Sequence, residues 1–392
     1  MGAGTVMGQT MRVVAIAKEL QRRGHEIKFL AGDKMISVIK GYGFDVIELV
    51  NMPQMEFLLS KKSEEKSNQQ EEKLQGMQEI MEKIRAMELE IGKKEHPDII
   101  LCGTLTGVQV AKQLGMPSVF ACLQPHGKKT LEMFSNGSQD NNRLKSFFHE
   151  VLEAASLILI EGIPELGHEA DLANNMEWTS ILKEKIRFTG PLLIDDPEKM
   201  PKQEALKLRY IGDSHTNMVY VTIGGGSRLI GEQFLRVVIE AFRLLPMVKG
   251  VISAGLNIPS EEFSAFNPPE YVSIYEFVPG TEMIKASDVT VFHGGSSTLM
   301  TCLACGKPAV VIPSMGEQED NAAVLADHGA GIVLEKETLT AIILAGAIEQ
   351  ILQDGSYQRK AEDLRALCRV YGGATAAASM VEKVVRSEVL HV

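Results

Sequence analysis

One stretch of this chain carries an anion-binding pattern: Phe292-His293-Gly294-Gly295-Ser296-Ser297-Thr298. The apolar run from Asp288 to Phe292 predicts a buried strand, and helical spacing resumes after the hydroxyl residues. Glycines let a ligand approach the backbone, amides at a helix start point outward, and the helix dipole favours negative charge there. His293 beside those amides can donate to a phosphate oxygen. A strand-to-helix turn with two glycines also occurs with no ligand, so the residues downstream decide the reading. They are Gly306-Lys307-Pro308, then Pro313, Glu317, Gln318 and Asn321.

The elements around this turn alternate between helix and strand. Thr10 to Arg23 has helical spacing and stops at Gly24. Ile27 to Leu30, Val46 to Leu49, Asp98 to Cys102 and Ser118 to Cys122 read as strands, with helices between them. A second series starts at Met218 to Ile223, with the loop Gly224-Gly225-Gly226-Ser227 ahead of a helix from Glu232 to Leu245. Two series of this kind predict two facing doubly wound α/β domains with a cleft between them. The segment Arg187 to Met200, with Gly190-Pro191 and Asp195-Asp196-Pro197, reads as a linker, which divides the chain into 1–195 and 205–392. Helices from Glu337 onward show no chemical signature and read as packing. Between Ser60 and Glu95 the pattern is interrupted. Lys61 to Glu72 reads as a loop or solvated helix, and an amphipathic, Met-rich helix follows from Leu74 to Ile91.

Composition narrows the function class. The length of 392 residues suits two domains, and a net charge of -11 argues against nucleic acid, which needs a basic face. No apolar run is long enough to span a bilayer and no leader pattern opens the chain, so the sequence reads as cytoplasmic. The five cysteines are scattered, as reduced thiols are. Cys302 and Cys305 form a C-x-x-C, but with no further ligands at metal spacing and a place inside a predicted helix they read as core.

The ordered residues resemble the UDP-glycosyltransferase superfamily of GT-B fold, which includes bacterial macrolide and natural-product glycosyltransferases. The pattern is an aromatic-x-Pro turn, Phe277-Val278-Pro279; the helix start His293-Gly294-Gly295; Gly306-Lys307-Pro308; and Glu317-Gln318 with Asn321-Ala322. The resemblance is close over most of residues 218–352 and looser before them. It implies two facing Rossmann-like domains, the acceptor held by the first and the donor nucleotide sugar by the second. Phe277 and Val278 would hold the base, and His293, Gly294, Gly295, Ser296, Ser297 and Thr298 the diphosphate. Glu317 and Gln318 would bond sugar hydroxyls, Asn321 would belong to the same donor-binding set, and Gly225 and Ser227 would flank the leaving group. The implied reaction is inverting transfer from a nucleoside diphosphate sugar to a small natural-product-like or lipid-like acceptor. It needs no metal or resident cofactor. The sugar, the acceptor and the oligomeric state are not legible.

Three departures from the family pattern bear on this. Thr301 stands where a ribose-binding Glu is frequent, and Gly280 where Gln is usual, so uridine and deoxythymidine diphosphates both stay open. The family's general base, a His, falls on Gln9, and its Asp partner on Gly103. Glutamine cannot accept a proton. Either the acceptor reacts as an anion, another group such as His126 or a cleft carboxylate serves, or the protein binds donors without catalysis. An epimerase on this fold would need a carboxylate constellation that is not evident. Gly2-x-Gly4-x-x-x-Gly8 imitates a nicotinamide fingerprint but lacks its preceding strand. That same lack suggests that Met1 corresponds to an internal methionine of a longer natural chain.

Overall fold

Helix α1 (Met7–Arg22) buries Val13, Val14, Ile16 and Leu20, and leads into β1 (Lys28–Ala31), α2 (Lys34–Gly41) and β2 (Asp45–Glu48). The computed structural model describes residues 7–32, 34–49, 67–123, 149–167, 180–222, 232–255, 260–314 and 316–389. The long α3 (Ser67–Glu95) precedes β3 (Ile100–Cys102), α4 (Leu105–Leu114), β4 (Ser118–Leu123), β5 (Leu157–Glu161), α5 (Ser180–Lys185) and β6 (Ile186–Gly190). Among the described residues the first half holds two parallel sheets, β1-β2 and β3-β4-β5-β6.

The second half comprises α6 (Gln203–Ile211), β7 (Asn217–Thr222), α7 (Glu232–Arg243), β8 (Val248–Ser253), β9 (Val272–Tyr275), α8 (Gly280–Ala286), β10 (Val289–Phe292), α9 (Ser296–Cys305), β11 (Ala309–Val311), α10 (Gly316–Asp327), β12 (Gly331–Val333), α11 (Ala341–Gln353), α12 (Gly355–Val370) and α13 (Gly373–Val389). Its strands form one parallel sheet in the order β12-β11-β10-β7-β8-β9. Helix α7 shows how sequence makes this layer. Phe234, Leu235, Val238, Ile239 and Phe242 recur at helical spacing and are all buried against the sheet. Each such side chain contributes about 1.5–3 kcal/mol of transfer free energy.

The crossing between halves is tight. Gly190 has φ +69°, and a Cβ there would lie 2.7 Å from the carbonyl oxygen of Cys368 on α12, so only glycine fits. The tail of the chain returns to the first half. Helix α13 leaves the second half and packs on the first, where Ala377, Ala378 and Val381 share a core with Val13, Val14 and Phe29. Glu382 on α13 fastens it there, pairing with Arg23 at 3.0 Å and His25 at 2.9 Å.

Helix α3 takes the solvated-helix alternative from Ser67 onward and runs unbroken into the amphipathic part, because Gln, Glu and Lys are good helix formers even without an apolar stripe. Residues 61–66 of that segment lie outside the described residues. Among its described side chains the most deeply buried is Glu88, not a methionine. Burial pushes the Glu88 carboxyl up to about 7 from its ordinary 4.5, against the opposing pull of a hydrogen bond from Thr106. A carboxyl raised by folding keeps its full stability below the unfolded value and loses it as pH rises through the folded one. Relative to wild type, Glu88→Gln is therefore expected to gain about 3 kcal/mol between about pH 4 and about pH 8, measured by urea unfolding.

Candidate functional site

Strand order reverses between β7 and β10, and in such sheets ligands bind beyond the carboxyl ends of the strands at that point. His293 occupies it, directly after β10. The next residues form an uncapped helix start: Gly295 is the N-cap of α9 and no side chain bonds to its amides. The His293 ring is half-buried, its Nδ1 is sealed from solvent without a partner, and burial holds its pKa below the usual imidazole range. At neutral pH the imidazole is thus neutral and carries one N–H donor. A buried nitrogen without a partner beside a helix N-terminus is the arrangement an anionic ligand would complete.

Helix α10 braces this turn from below. Asn321 Nδ2 donates to the Gly294 carbonyl at 2.9 Å, and Gln318 Oε1 accepts from the backbone and hydroxyl of Ser314 at 2.9 and 2.8 Å. Gly294 has φ +88°, and a Cβ there would meet the Gln318 carbonyl oxygen at 2.7 Å. Gln318 and Asn321 are buried, so in this state they hold the turn together. Ser314 was not legible as part of the site; only its place four residues before Gln318 hinted at it. Glu317 is half-buried. Burial raises its carboxyl pKa, opposed by the charge of Arg12 on α1 and by a hydrogen bond from Asn321.

Phe277 is 78% exposed, and Val278 beside it is buried in the core under α8 and α9. A cavity of about 1280 Å³ opens between Phe277, Gly280, the crossing segment at Asp195 to Met200, and Lys18 and Arg22 of α1. The His293 turn does not line it. A Cβ on Gly280 would meet nothing within 4 Å, whereas Thr301 turns its hydroxyl back to the Ser297 carbonyl at 2.8 Å. Cys302 and Cys305 are unpaired and buried in the core, with their thiols pushed up by burial.

In the first half the structure brings Gln9 and Gly103 together. A Cβ on Gly103 would lie 3.7 Å from Gln9 Cβ and 3.3 Å from Val13 Cγ2. One turn along α1, Arg12 is buried and pairs with Glu161 at 2.9 Å, while Glu161 Oε1 accepts the Leu192 amide at 2.9 Å. This buried pair fixes α1 to the end of β5 and to the crossing segment. The sequence signal for it was an arginine inside the apolar run of α1 and an acid closing the apolar strand β5. His126, Gly225 and Ser227 lie outside the described residues.

Two facing parallel α/β units with a phosphate-type turn at the switch point of the second define the GT-B class. Residues 256–370 match the C-terminal domain of erythromycin biosynthesis protein CIII-like proteins. An uncharacterized glycosyltransferase of Methanosarcina mazei is 27% identical over 393 residues, covering 97% of this chain and 96% of that protein. Among solved structures, the glycotransferase of kitacinnamycin has a TM-score of 0.71 at 17% identity, covering 96% of this chain and 95% of its own. SsfS6 from Streptomyces sp. SF2575, complexed with thymidine diphosphate, has a TM-score of 0.66 at 20% identity, covering 97% of this chain and 98% of its own. The chain has the GT-B fold of these structures and is similar over nearly its whole length to glycosyltransferases. Among the described residues no helix is long and apolar enough to cross a membrane.

Proposed function

We infer that this protein transfers a glycosyl group from a nucleoside diphosphate sugar to a small natural-product-like or lipid-like acceptor, with inversion. The observation that carries this reading is the partnerless buried Nδ1 of His293 beside the uncapped amides of α9 at the switch point. The acceptor oxygen attacks the anomeric carbon as the bond to the diphosphate breaks. The departing charge is met by a His293 N–H and the amides of Ser296, Ser297 and Thr298, without a metal. Phe277 offers its exposed face to the base, Glu317 and Gln318 are the sugar-hydroxyl partners, and Gly225 and Ser227 flank the leaving group. Thymidine and uridine diphosphates both fit a site in which Thr301 is turned into its own helix; the thymidine diphosphate bound by SsfS6 supports the former. The reading places the protein in the cytoplasm, where buried thiols stay reduced.

Gln9 takes no proton, so acceptors that ionise readily, such as phenols, are preferred, or His126 supplies the base. A second reading, donor binding without transfer, is favoured by the adjacency of Gln9 and Gly103 in place of an acid-base pair. Nucleoside diphosphate release with phenolic and alcohol acceptors separates the two. We expect release with phenols. The double variant Gln9→His, Gly103→Asp is expected to gain about 10²-fold toward alcohols. Donor binding with no release from any acceptor, in wild type and variant alike, would leave only the second reading.

A further inference from the structure

Gly103 follows β3 directly and lies beside Gln9, and Thr104 comes next as the half-buried N-cap residue of α4. The Thr104 hydroxyl caps no amide of that helix; it lies 3.2 Å from the Thr106 hydroxyl. Thr106 is buried and donates a hydrogen bond to Glu88 of α3. A hydroxyl has one proton to give, so with Thr106 committed to Glu88, Thr104 is the donor between the two threonines. That leaves a lone pair of the Thr104 oxygen for the proton of an incoming hydroxyl group.

The inner end of this hydrogen-bonded row is an acid in a costly place. Glu88 is 4% exposed, and its replacement by Gln is expected to stabilise the fold. Residues that lower stability where they stand gather at functional sites, and so do strongly shifted carboxyls. The charged and titratable groups around Glu88 leave it free to change charge. Cys102 at the end of β3 is a neutral thiol, held well above its ordinary pKa by burial. Glu95 of α3 pairs with Lys28 of β1 at 2.7 Å, and Lys112 of α4 is exposed. A carboxyl that titrates at about 7 is matched to taking up and returning a proton near neutral pH.

We propose that Thr104, Thr106 and Glu88 form a proton relay that deprotonates an alcohol acceptor, in place of the direct base that Gln9 cannot be. The relay rests on the transfer reading above. As the acceptor oxygen attacks the anomeric carbon, its proton passes to Thr104 Oγ1, the Thr104 proton to Thr106 Oγ1, and the Thr106 proton to the Glu88 carboxylate. The electron pair of the broken O–H bond stays on the acceptor oxygen, and the pair of the sugar–phosphate bond leaves with the diphosphate. Thr104 touches the acceptor, while Thr106 and Glu88 act through it. A phenol ionises on its own and does not need the relay.

The test follows nucleoside diphosphate release by the full chain from uridine and thymidine diphosphoglucose, with one alcohol and one phenol acceptor, across neutral pH. In wild type, kcat/KM for the alcohol is expected to rise up to about pH 7, as Glu88 ionises, and then to level off. Glu88→Gln and Thr106→Val are each expected to lower the alcohol-to-phenol ratio by about 10²-fold and to remove that rise. Thr106→Ser keeps the hydroxyl and is expected to retain both. The thermal midpoint of Glu88→Gln, expected above that of wild type, separates the loss from a folding defect. A ratio unchanged in Glu88→Gln and Thr106→Val overturns the relay and leaves transfer standing. So does a wild type that turns over the phenol and not the alcohol. No release from any acceptor overturns the transfer reading and the relay with it.

Discussion

Gly294→Ala is expected to lower kcat/KM by about 10²–10³, the loss typical of disabling one element of a charge-stabilising site. The residue sits at φ +88°, where a side chain is strained, and a Cβ would come within 2.7 Å of the Gln318 carbonyl oxygen and 2.9 Å of Gln318 Cβ. A backbone oxygen cannot swing aside as a side chain can. Relief requires α10 to move away from the turn, which would break the 2.9 Å bond from Asn321 to the Gly294 carbonyl and re-aim the α9 amides. Nucleotide affinity and turnover should fall together while the unfolding midpoint changes modestly. Steady-state kinetics beside a thermal scan reads both, and near-wild-type kinetics would show that the turn does not hold the donor.

Arg12→Ala is expected to cost about 3–5 kcal/mol of stability, the usual result of leaving a buried charge unpaired. The Arg12 and Glu161 side chains are 2% and 6% exposed, and Glu161 also anchors the Leu192 amide. Because the pair ties α1 to the crossing segment, its loss should loosen the first half before the second. Arg12→Met combined with Glu161→Leu should recover much of the loss, since a well-packed apolar pair removes the desolvation cost. Urea unfolding of the single and double variants checks this. A single-variant loss below about 1 kcal/mol would mean that water reaches the pair, as it does at surface ion pairs.

The second half was legible because its signals are local. An apolar run, a His-Gly-Gly turn and a Gly-x-Pro strand each fall within a few residues, and β10, α9 and β11 appear where those patterns predict them. The contacts that make the turn a site were not legible. Asn321 to Gly294 and Ser314 to Gln318 depend on how α10 docks, which periodicity does not encode. The same reason hid the Arg12–Glu161 pair, whose partners lie 149 residues apart. The return of α13 to the first core was equally hidden, since a helix with a buried stripe does not say which sheet it covers. Glu88 was passed over because an acid among methionines on an amphipathic helix reads as its solvated face.

Calorimetric titration of thymidine and uridine diphosphates into the protein and its His293→Ala variant tests the central claim most directly. The account predicts one saturable site for at least one of the two nucleotides. It also predicts an affinity loss of about tenfold or more in the variant, since hydrogen bonds to charged groups are worth about 1.5–3 kcal/mol. Absence of binding by both nucleotides, or binding that the variant leaves unchanged, would contradict a donor site built on the His293 turn.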